Sequence, residues 1–184
     1  RIVGIKGIAR INDESSVLML IELFSKSQEL EKKVILESLL KYNDERVIQF
    51  AREMAKIEKS PEIALDLAII LINSGDASFL EFFNEKLFSK DTNTARYAAL
   101  KLKDIVFYKD FSVIEKLSST QENIVKLGII GYIEKNKDKL TKKEKKLALK
   151  ILKKYIFDEN EIIRVSSIRL LANFPDDKIN DIFK

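Results

Sequence analysis

The residues able to do chemistry are few and unevenly placed. Ten lysines crowd the stretch from Lys135 to Lys154 against only Asp138 and Glu144, so this stretch carries +8 while the whole 184-residue chain carries +4. Everything else sums to −4, and the basicity sits in one element. Leu140, Leu147, Ile151 and Tyr155 recur at helical spacing and predict that element's buried stripe. Lys139, Lys142, Lys143, Lys145, Lys146, Lys150, Lys153 and Lys154 take the remaining arc. Such an arc suits the phosphates of a nucleic acid or an anionic membrane surface. It holds no arginine for bidentate phosphate contacts and no interleaved aromatic for base stacking, so a solvated face is the expected role.

Other chemistry is poorly supplied. The chain has no Cys, His or Trp. Disulfides, thiolate metal sites and cysteine nucleophiles are excluded, and the commonest general base and metal ligand is missing. The carboxylates of Glu14, Glu22, Asp66 and Glu81 fall at no spacing suited to paired acid/base work. Neither a glycine-rich phosphate loop nor an EF-hand spacing occurs. No enzyme, cofactor or metal is therefore expected. Phe79, Phe82, Phe83 and Phe88 fall within ten residues, and core packing between adjacent units is expected of them rather than a peptide groove.

The elements that must position these residues are helices. Hydrophobic residues make up 46% and charged residues 34%, which fits a folded helix-rich chain, and five glycines with two prolines are too few for a sandwich or barrel. Helical patterns run from Ile2 to Ile11, Val17 to Phe24, Leu30 to Leu40, Glu45 to Ile57, Pro61 to Ile72, and Phe79 to Phe88. They continue from Ala95 to Tyr108, Val113 to Leu117, Ile124 to Ile133, Lys142 to Phe157, and Ile162 to Phe174, with a further pattern beginning at Lys178. Val17–Phe24 is apolar nearly all round and predicts burial on more than one side, with Ser15 or Ser16 as its cap. Ser60-Pro61 is a start signal and Ser74-Gly75-Asp76 a stop and restart. The apolar run from Ile63 to Ile72, broken by Asp66, spans about half a bilayer and predicts a buried helix rather than a membrane span.

Asp13, Asp44, Asp76, Asp110, Asp138 and Asp176 close successive patterns at separations of 31, 32, 34, 28 and 38 residues, a mean near 33. A period in the low thirties predicts an array of helix pairs, since one amphipathic pair cannot bury its stripe alone. The units are 1–13 (partial), 14–44, 45–76, 77–110, 111–138, 139–176 and 177–184 (partial). The chain opens on Arg1 directly in a helical pattern, and a piece of a longer protein is expected.

Two stretches carry a motif. Asp158…Ile163-Arg164…Ser166-Ser167…Leu171 and Asp91…Ala95-Arg96…Ala98-Ala99…Leu102 share a turn aspartate, an apolar-Arg pair and small residues; Val125-Lys126…Gly128 is a weaker copy. This resembles the HEAT-repeat family. The resemblance implies an all-α, right-handed α-solenoid of about five antiparallel helix pairs, with second helices lining a concave face. It also implies that Arg96 and Arg164 are structural, pairing with turn aspartates of neighbouring units among Asp91, Asp110 and Asp158.

The function expected is a non-catalytic, cytoplasmic scaffold that binds another protein through an extended concave helical surface. The alternative is nucleic-acid binding, as in the HEAT-like DNA glycosylases, or anionic-surface binding through the lysine-rich helix 139–154. Kinship to the HEAT-like bilin lyases is a third possibility, for which the chain presents no site.

Overall fold

The computed structural model describes residues 1–11, 13–106 and 111–174. Asp110, Asp176 and the pattern from Lys178 lie outside the described residues. Among the described residues there are eleven α-helices and no strand. They are α1 (Ile2–Ile11), α2 (Glu14–Ser25), α3 (Glu29–Leu39), α4 (Glu45–Met54), α5 (Pro61–Asn73) and α6 (Ser78–Leu87). Then come α7 (Thr92–Lys101), a 3-10 turn at Leu102–Asp104, α8 (Phe111–Leu117), α9 (Asn123–Asn136), α10 (Lys142–Tyr155) and α11 (Glu161–Ala172). The chain divides into two compact units at Ala98/Ala99.

Two of the aspartates that end one pattern cap the next helix. The Asp13 carboxylate accepts from the Ser16 backbone N–H at 2.8 Å, and Asp44 from that of Arg46 at 2.9 Å. Asp13, not Ser15 or Ser16, is thus the cap of α2. Both serine hydroxyls instead donate to Asp13, at 2.9 and 2.6 Å. A full negative charge at the helix N-terminus outcompetes a neutral hydroxyl. Ser60 caps α5 with Pro61 in its first turn. Gly75, at φ 99°, ends α5 in the left-handed conformation that glycine adopts without strain.

In the first unit α5 is the central helix. Nine of its residues are buried, because α3, α4 and α6 all pack on it. The core runs from Ile5 through Leu20, Phe24, Leu36 and Val47 to Ile63 and Leu71, with Phe24 edge-on to Phe50 at 5.1 Å. α2 is less enclosed than its composition predicts. Val17, Leu20 and Phe24 are buried while Leu18 and Met19 stay about half exposed, since α1, α3 and α4 cover a single stripe. Of the phenylalanine cluster, Phe83 is fully buried, Phe79 and Phe82 are half-buried, and Phe88 is exposed.

In the second unit α9 packs on the 3-10 turn, α8 and α11, while α10 packs on α8 and α11. Ile129, Ile133, Leu152, Ile163 and Leu171 are fully buried there. Helices two apart in sequence also meet within each unit: α1 with α3, α3 with α5, α2 with α4, α8 with α10, and α9 with α11. Several polar bonds between elements span nearly the same separation. Tyr42 donates to the Ala9 carbonyl 33 residues back, Arg46 to Glu14 across 32, and Tyr97 to Asp66 across 31. Asn136 donates to the Ile105 carbonyl across 31 and Lys126 to Asp158 across 32. Among the described residues no helix is long and apolar enough to cross a membrane.

Candidate functional site

The candidate residues concentrate in the second unit, on α10 and at the turn that follows it. α10 starts with a capping box. Thr141 Oγ1 accepts from the Glu144 backbone N–H at 3.3 Å, and Glu144 Oε2 accepts from the Thr141 backbone N–H at 2.8 Å. Glu144, the only acidic residue of α10, is thereby committed to the cap. The helix buries Ala148, Ile151, Leu152 and Tyr155. Leu140 is also buried, but the stripe is turned from the predicted one: Leu147 is half-buried and Ala148 and Leu152 point inward.

Lys139, Lys142, Lys143, Lys146, Lys150, Lys153 and Lys154 are exposed and Lys145 is half-exposed. Lys150 faces Glu115 of α8 at 3.6 Å, with both side chains more than half exposed. Such a pair contributes little. Among the described residues no carboxylate lies within ion-pair distance of the other seven. At about 100° per residue, Lys142, Lys146, Lys150 and Lys153 share roughly 80° of arc, which Lys143 and Lys154 widen to about 120°, opposite the buried stripe. The structure therefore gathers these predicted lysines on one face.

A polar recess of about 660 Å³ lies beside this face, lined by Gln121, Asn123, Lys126, Lys154, Asp158 and Asn160, among others. Two of its charges are spent on each other. Lys126 Nζ reaches Asp158 Oδ2 at 2.6 Å, with both side chains about nine-tenths buried. The Lys126 hydrogen bond holds the Asp158 carboxyl below its ordinary range, with further help from the Asn160 N–H. Asn160 itself caps α11 through the N–H groups of Ile162 and Ile163. Tyr155 donates to the Ser118 carbonyl at 3.2 Å, and burial pushes its phenol well above the usual range. The recess presents no nucleophile paired with a base. Among the described residues no cluster of three or more acidic side chains is placed to hold a metal.

Arg164 takes different partners from those the resemblance implies. Arg164 donates to the Asp158 and Glu159 backbone carbonyls, both at 2.8 Å, rather than to a neighbouring unit's carboxylate. Asp158 is paired across units by Lys126 instead. Asp91 is exposed and accepts from the Thr94 N–H and hydroxyl as a helix-opening residue. Arg96 is exposed at the corresponding place on α7.

Two features escaped sequence reasoning. Phe157, just beyond α10, is 83% exposed. Ile162, Val165 and Ile168 form an exposed apolar row on α11, at 63%, 46% and 43%. Their spacing of three, off the face carried by Ile163 and Leu171, was the available signal. Neither a family model nor a curated protein matches the chain.

Proposed function

We propose that this chain is a non-catalytic scaffold of about five HEAT-like helix pairs in a right-handed α-solenoid, whose second helices offer a surface to another protein. Support for the repeat comes from polar bonds recurring across 31–33 residues and from second helix lying on second helix, α1 on α3 on α5 and α9 on α11. The observation that carries the binding role is the row Ile162, Val165 and Ile168, three apolar side chains left in solvent on a second helix and flanked by Glu161 and Arg169. Isolated surface apolar residues need no explanation, but an aligned row with a charged rim is the composition of a protein interface.

The test places a photo-crosslinking side chain at Val165 or Ile168, with Lys56 of the first unit as an exposed control. Expected is one discrete protein adduct from the α11 positions in native extract, absent at Lys56 and lost on Ile162→Asp. The same products from all positions, or none from α11, would refute the reading.

A further inference from the structure

The lysine face of α10 is not used by the scaffold reading. From its geometry we infer that α10 and Phe157 form a docking surface for an anionic lipid bilayer. Six ammonium groups lie in about 120° of arc along a helix of about 20 Å, opposite the side that packs on the protein. Glu144 is committed to the cap, and Lys150 has only a solvated partner in Glu115. The positive field is therefore not cancelled locally. Clusters of four to eight lysines on one amphipathic helix are the electrostatic signature of binding to anionic headgroups.

Two observations favour lipid over nucleic acid. First, the strip is built of lysine alone, a point charge on a flexible stem, without an arginine fork to match a phosphate bidentately. Lipid headgroups diffuse laterally to meet such charges, so no fixed register is required of them. Second, Phe157 lies in the turn just beyond α10, where its N–H bonds back to the Lys154 carbonyl, and it stands beside that lysine at the rim of the recess. At 83% exposure its ring stands in water, where an apolar side chain gains nothing, yet beside a basic strip it is placed to enter the headgroup–acyl boundary. Along the strip itself, from Lys139 to Lys154, no aromatic residue is interleaved to stack on bases.

The experiment is flotation of the whole chain with phosphatidylcholine vesicles, with and without phosphatidylserine, at low and physiological salt. Binding is expected only with phosphatidylserine and should fall steeply as the Debye length shrinks from about 30 to about 8 Å. Each lysine near the surface is worth about fivefold in partitioning, so replacing Lys142, Lys146, Lys150 and Lys153 by Gln lowers it several hundredfold. Phe157→Ser lowers it about tenfold without changing the salt dependence, because the ring is neutral. All five side chains are exposed, so the variants are expected to stay folded, which circular dichroism checks. Equal binding to neutral vesicles, no binding at low salt, or a four-lysine variant that still binds would overturn the inference. So would salt-labile binding of duplex DNA that is indifferent to Phe157→Ser, in a protein that leaves vesicles alone.

Discussion

Gly128→Ala is expected to destabilise the protein although alanine is the better helix former. Gly128 is buried in the middle of α9. In that setting the substitution ordinarily gains about 1 kcal/mol, because glycine loses more backbone entropy on folding. Here a Cβ would lie 2.0 Å from the Ala99 carbonyl oxygen and 2.8 Å from its carbon. Ordinary contact begins at about 3.4 Å, so the two backbones must part by more than about 1 Å, undoing packing around Ile129 and Tyr132. Overpacking costs about 1–3 kcal/mol, and an obstacle made of backbone rather than a flexible side chain belongs at the upper end. The net loss is about 1–2 kcal/mol, or roughly 2–8 °C in Tm for a chain of this length. Gly7→Ala is the control. It lies inside α1 with nothing within 4 Å of the new Cβ, and should raise stability by about 0.5–1 kcal/mol. Urea unfolding followed by circular dichroism measures both. A Gly128→Ala protein as stable as the parent, or two substitutions that move together, would refute the close-approach argument.

Lys126→Met leaves the Asp158 carboxylate without its cation in a recess that water reaches only in part, and should cost about 2 kcal/mol in urea unfolding. Ser167→Ala should be neutral or stabilising by up to about 1 kcal/mol, since the Ser167 hydroxyl is fully buried with no partner among the described residues; a clear loss would reveal one. Acid should unfold the protein through its depressed carboxyls. Asp158 is held below its ordinary 3.8 chiefly by Lys126, and Asp44 and Asp76 are lowered mainly by hydrogen bonds from Arg46 and Ser78. Their stabilisation is complete above the unfolded-state value and drains away as pH falls through the depressed folded one, so stability should be flat near neutrality and decline below about pH 4. Lys126→Met should make that decline shallower, which a pH series of urea midpoints would record.

Helix existence was legible because α5 carries an unmistakable apolar run between Ser60-Pro61 and Ser74-Gly75, and because few glycines or prolines interrupt the rest. Ends were less so. α4 stops at Met54, three residues short of Ile57, where the chain tightens to prepare for the proline: the Glu58 N–H bonds back to Met54, and the Glu58 carboxylate accepts the N–H groups of Lys59 and Ser60. α7 gives way to a 3-10 turn at Leu102, yet Leu102 and Ile105 are both buried and keep an apolar pattern that conceals the change. For the candidate site, the lysine count and a solvated face were both legible in the sequence, but the Lys150 ion pair was not, because Glu115 stands 35 residues from Lys150 along the chain. The Lys126–Asp158 bond was within reach: its separation of 32 lies close to the mean near 33 read from the turn aspartates. Exposure of the α11 row could have been read from its spacing of three, whereas Phe157, in the turn beyond α10, follows no helical pattern that would have signalled its exposure.

The dominance of contacts between neighbours in sequence bears on how the protein is made. Each helix packs mainly on those made shortly before and after it, so no long loop must close against a distant element. At about 5–20 residues per second a ribosome releases one pair of some thirty residues every few seconds, whereas helices form in about a microsecond. Every pair thus has ample time to find its predecessor before the next emerges. Synthesis and folding can advance in step, and the nascent chain never exposes more than about one unpacked apolar stripe to the cell.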